Sequence, residues 1–149
     1  MNKLKLLFAV ALGLLGTSAF AQNALPDAVA SGNKVFVQIV NDSEHPLPAD
    51  EMEDVTRELA AAGSWTCVAA PEEADFILKV EAKKKMVFNS PRTWLTPSVL
   101  DKSGAVLWEG KTQKADATMF NGFKATNSCI QKVIEKSFES GLFKKAGRK

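Results

Sequence analysis

One stretch constrains the fold more than any other. Residues 34–70 run KVFVQIV, a polar loop, an apolar-striped segment and then WTCVAA. KVFVQIV (34–40) is rich in β-branched residues and reads as a strand. Val35, Val37 and Ile39 share one face, and Phe36, Gln38 and Val40 share the other. Both faces are largely apolar, so the strand is expected in the middle of a sheet. After the loop NDSEHPLP (41–48), Pro48 suits a first helical turn, and Asp50 and Glu51 complement its positive end. Met52, Val55, Leu59 and Ala62 recur at helical spacing, and Gly63 is read as the stop. WTCVAA (65–70) is a second strand. A strand-helix-strand unit this short implies a parallel pair with a right-handed crossover.

The remaining pattern is antiparallel. A longer strand begins near Ala74 and alternates Phe76, Leu78, Val80 and Ala82 with more polar neighbours. NSPR (89–92) is a turn, and TWLTPSVL returns, with Pro97 marking an edge or a bulge. Asp101, Ser103 and Gly104 form the next turn, leading into AVLWEGKTQ. Val106 and Trp108 are assigned to one face of that strand and Ala105 and Leu107 to the other. A C-terminal helix follows, with Asn121 as its cap and Phe123, Ile130, Val133, Ile134 and Phe138 as its buried stripe. The expected class is α/β (α+β). One mixed five-stranded sheet in the order β-α-β-β-β-β-α carries two helices on one face.

Residues 1–21 read as a cleaved secretory signal peptide. Lys3 and Lys5 precede an apolar run, and Ala19-Phe20-Ala21 supplies small residues for cleavage. The apolar run is too short to span a bilayer. Residues 22–33 are then a flexible lead-in, 34–145 a single domain and 146–149 a basic tail. The expected location is periplasmic or secreted. The chain has 19 Lys plus Arg against 17 Asp plus Glu. Without the two signal lysines it is formally neutral, and no concentrated basic face marks a nucleic-acid binder. Lys83-Lys84-Lys85 is read as a solvated strand end, and the basic tail as a frayed terminus.

Chemistry-bearing patterns are sparse. His45 is the sole histidine, with Asp42 and Glu44 beside it. One imidazole with loop carboxylates falls short of a metal set, and a solvated loop is the preferred reading. No nucleotide-binding or nucleophile-elbow pattern occurs, so no catalytic residue, cofactor or metal is assigned. Cys67 and Cys129 are a candidate disulfide in an oxidising compartment; two separate thiols are the alternative. Two helices cover only one side of a sheet. Phe36, Val40, Trp94 and Trp108 are therefore the candidate partner surface on the other.

The strand ADFILKVEA followed by LDKSGAVLWEG resembles a pattern in small bacterial envelope proteins. The matching residues are Ala74, Asp75, Asp101, Gly104, Val106, Leu107 and Trp108. The domain concerned is that of curli-secretion lipoproteins, the N-terminal domain of the Tol-Pal translocation protein and related lipoproteins. The resemblance follows element order over roughly residues 34–140, although the chain shows no lipobox cysteine. It implies assembly or docking in the envelope, with another envelope protein or a second copy as partner. The alternative is a small-ligand carrier, or a hydrolase, using the loop near His45.

Overall fold

The computed structural model describes residues 24–148; the expected signal peptide lies outside them. A mixed sheet with its helices on one face is present. Strand β1 (Lys34–Asn41) leads into helix α2 (Ala49–Gly63), and β2 (Thr66–Cys67) returns parallel to β1. Strand β3 (Phe76–Val87) lies on the other side of β1, also parallel. β4 (Ser90–Leu100) pairs antiparallel with β3 along its whole length. β5 (Val106–Glu109) and β6 (Gln113–Asp116) both pair with β4, giving the order β2-β1-β3-β4-β5 with β6 beside β5 on the same edge. β1 lies between β2 and β3, but β2 pairs only with its first two residues, Lys34 and Val35, so most of β1 borders the sheet's edge rather than its middle.

The sheet has six strands because Pro97 opens its edge. The Pro97 carbonyl accepts from Gly110 N–H at 2.8 Å, so its missing amide faces the same edge. Residues 110–112 bulge away there and divide the expected last strand in two.

The C-terminal helix begins as α3 (Ala125–Lys132) and widens into a π-type stretch over Val133–Leu142. It ends in the short turn α4 (Phe143–Lys145). Phe138 is fully buried there, among Trp65, Trp108 and Phe143 with ring centres 5.6–6.4 Å away. Offset edge contacts of this kind add to area burial. α3 is fixed to the sheet by a buried hydroxyl pair, Thr93 and Thr126, at 2.8 Å. α2 is fixed at its start by Lys84, whose ammonium reaches both oxygens of Glu51 at 2.6 and 2.8 Å.

Both ends of the described residues differ from the expectation of loose segments. Residues 24–28 form a helical turn, α1, and Leu25 and Val29 are buried in the core. The Arg148 guanidinium lies 4.4 Å from the Phe143 ring centre and donates to the Val29 and Gly63 carbonyls. The basic tail is therefore anchored at Arg148, because two carbonyls at the helix ends need donors. Gly63 is the last residue of α2, and Ser64 takes the left-handed cap at φ 57°. Glycine is needed at 63 for a different reason: a Cβ there would meet the Trp65 ring at 2.3 Å.

Candidate docking face

Strand register decides what each side of the sheet presents. Val35, Phe76, Leu78, Val80, Leu95, Val99 and Trp108 point toward the helices and join one core cluster. Among the described residues, no helix covers the opposite side. Its first row is Phe36, Ile77, Leu100 and Val106, an apolar strip across four strands. Gln38, Lys79, Ser98 and Glu109 form the next row, then Val40, Glu81 and Thr96. Lys83, Trp94 and Lys114 follow, and Lys85, Arg92 and Asp116 close the face. None of these residues belongs to the core cluster.

The candidate surface is thus partly brought together. Phe36 and Val40 lie on the open side, and Val40 is 39% exposed. Trp94 lies there too, with Lys83 Nζ at 5.3 Å and the Arg92 guanidinium at 5.8 Å from its ring centre. Trp108 does not belong to this surface. It opposes Val99 on the helix side and is 7% exposed, packed on Phe138. The sequence alternation placed Val106 and Trp108 together, but a register shift at Val99/Leu100 puts Val106 on the open face. Ile77, Leu100 and Val106 were missed as surface residues; the alternation of Phe76 with Ile77 was the signal that could have found Ile77.

Arg92 and Asp116 form a close pair, Nε to Oδ1 at 2.5 Å. The Arg92 hydrogen bond holds the Asp116 carboxyl below its usual range and raises Arg92 in turn. Beside Trp94 is a shallow hollow of about 450 Å³, lined by Val40, Asp42, Glu81, Lys83, Trp94 and Thr112 among others.

The loop carrying His45 is a built turn. Asp42 Oδ1 accepts from the backbone N–H groups of His45 (2.8 Å) and Glu44 (3.0 Å). The His45 bond is the main cause of the lowered Asp42 pKa. The His45 carbonyl accepts from Lys84 N–H at 2.9 Å. Among the described residues, no three His, Cys, Asp or Glu side chains gather as a metal-binding group.

The candidate disulfide is not formed; both cysteines are free. Cys67 sits in β2, and the Cys129 thiol donates to the Gln113 carbonyl in β6 at 3.3 Å. β2 and β6 flank opposite edges, four inter-strand steps apart. At about 4.8 Å a step this is roughly 19 Å, far beyond the roughly 7 Å that a disulfide tolerates between Cα atoms. Burial pushes the Cys129 thiol up to about 12 and raises that of Cys67 less strongly. Cys67 pairs with Val35 at the start of β1, and His45 follows its far end, so thiol and imidazole are separated by the strand's length.

This geometry has solved counterparts. A PelC dodecamer from Paraburkholderia phytofirmans is 24% identical, with a TM-score of 0.52 over 70% of this chain and 87% of that one. Another PelC dodecamer structure from the same organism gives 21% and 0.52, over 75% and 88%. Uncharacterized lipoprotein B from Nitrosomonas europaea is 11% identical, with a TM-score of 0.53 over 77% and 89%. The fold is shared with a bacterial lipoprotein and with PelC. The expected resemblance to small bacterial envelope domains is therefore met at the level of fold. No protein-family profile matches the chain, and no curated protein matches it. Among the described residues, no helix is long and apolar enough to cross a membrane.

Proposed function

We propose that this chain is an exported, non-enzymatic envelope domain that docks protein through the uncovered face of its sheet. Self-association is the first form of that docking. The observation that carries the reading is the strip Phe36–Ile77–Leu100–Val106, four apolar side chains in one row across four strands with no helix of the described residues over them. Val106 is 47% exposed. Apolar surface of this kind, rimmed by the alternating charges of Lys79, Glu81 and Glu109, is typical of partner surfaces. A structural counterpart that is itself a dodecamer supports assembly between copies. Asp42 is occupied as a turn acceptor and the buried Cys129 thiol donates to a backbone carbonyl, which supports a role without catalysis.

The test is a photoreactive residue placed at position 38, exposed in the row next to the strip, in cells that export the protein. Covalent products at multiples of the chain mass are expected, and none from a control at position 135 on the helix side. Absence of products from position 38 would contradict docking through this face. Products of other masses only would contradict self-association.

A further inference from the structure

The far end of the molecule carries a second apolar feature of another kind. β3 and β4 are joined by a two-residue turn, Phe88-Asn89. Phe88 is 98% exposed. The loop after β6 starts beside this hairpin: Ser90 Oγ donates to the Ala117 carbonyl and Ala117 N–H to Pro91, both at 2.9 Å. That loop carries Met119 (74% exposed), Phe120 (96%) and Phe123 (71%). Met86 adds a further exposed side chain at the base of the hairpin.

No demand of the fold explains these residues. Phe88 has φ 50° and Phe123 has φ 63°. Left-handed backbone suits Gly or Asn and disfavours a bulky side chain. A hairpin turn with positive φ at both positions favours Asn-Gly chemistry. Two phenylalanines therefore stand in strained positions without burial to offset it.

Charge next to the tips is predominantly positive. The two rows of the open face next to the hairpin hold Lys83, Lys85, Arg92 and Lys114, with Trp94 between Lys83 and Arg92. Asp116 is the one carboxylate in those rows, and Arg92 pairs with it. Apolar side chains projecting singly from two adjacent turns, backed by lysines and an interfacial tryptophan, fit a fluid apolar phase with an anionic surface. A rigid protein groove would call for a continuous contact surface instead.

We propose that the Phe88 turn and the Met119–Phe123 loop seat in the surface of a lipid bilayer containing anionic lipid. The basic rows then lie against the headgroup phosphates. This contact is separate from the Phe36 strip, about ten β-residues, or roughly 33 Å, back along β3.

The test uses purified protein, its N-terminus established by mass spectrometry, floated with vesicles of phosphatidylethanolamine and phosphatidylglycerol or of phosphatidylcholine alone. The parent is expected to float with the anionic vesicles, less so in high salt. The combined Phe88→Asn, Phe120→Ser, Phe123→Gly variant is expected to bind about tenfold less or weaker. It should melt at or above the parent's temperature, because Asn and Gly relieve the strained turns. Lys83→Glu with Lys114→Glu should remove the preference for anionic vesicles. A parent that stays in solution with both vesicle types, as it would if a protein were the occupant, overturns the proposal. So does a tip variant that floats as well as the parent. Phe36→Asp should lose assembly but keep the difference between parent and tip variant, so the two readings fail independently.

Discussion

The indole N–H of Trp65 donates to the carbonyl of Val29 at 2.9 Å, tying the segment ahead of the first strand to the centre of the core. Arg148 Nη1 donates to the same oxygen at 3.1 Å. Trp65 and the C-terminal Arg148 therefore share one acceptor in the N-terminal segment.

That sharing sets the first expected outcome. Trp65→Phe removes one donor and part of a buried ring but leaves Arg148 in place, and should cost about 1–3 kcal/mol. Arg148→Ala alone removes the other donor and its packing on Phe143. The double variant should lose more than the two singles together, since the oxygen then has no donor from either side chain. Urea denaturation of the four proteins measures the coupling; simple additivity would contradict a shared acceptor.

The Thr93–Thr126 pair gives the second. Both residues are fully buried, and their hydroxyls are 2.8 Å apart. Thr126→Val should cost about 1–3 kcal/mol by stranding the Thr93 hydroxyl. Thr93→Val added to it should recover part of that loss, because no unpaired group remains. Thermal denaturation followed by circular dichroism reads both.

Cys129 gives the third. Its thiol is raised from an ordinary 9.0 to about 12 in the folded chain. The folded state therefore holds this proton more tightly than the unfolded state. The stabilisation is complete below pH about 9 and is lost as pH rises toward 12, at up to about 1.4 kcal/mol per pH unit. Cys129→Ala should flatten that part of the stability profile, whatever its effect at neutral pH. Alkylation without reductant should label two thiols after unfolding. In the native protein Cys67 should react and Cys129 should not.

Much of this architecture was legible in the residues. The β-branched pattern of 34–40 marked β1 as a strand, and Pro97 announced the bulge. The two-faced apolar pattern overstated how central β1 is: β2 covers only Lys34 and Val35. What failed did so for local reasons. Phe123 was assigned to the buried stripe of the last helix, but that helix starts at Ala125. Asn121 caps instead the 3-10 turn Met119–Asn121, accepting from Thr118 N–H at 2.9 Å. Phe123 then turns outward. Trp108 was placed on the open face because a one-residue register shift leaves no mark in an alternating pattern. The flexible lead-in proved packed because Leu25 and Val29 look like any other residues in a small, polar stretch until Trp65 is seen against them.

The central claim is that the uncovered sheet face joins copies of the chain. Sedimentation velocity across a range of concentrations tests it most directly, on the parent and on Phe36→Asp. The parent should sediment as an assembly that dissociates on dilution. Phe36→Asp should sediment as a monomer with an unchanged circular dichroism spectrum and melting temperature. A parent that is monomeric at every concentration, or a variant that assembles as the parent does, would contradict it.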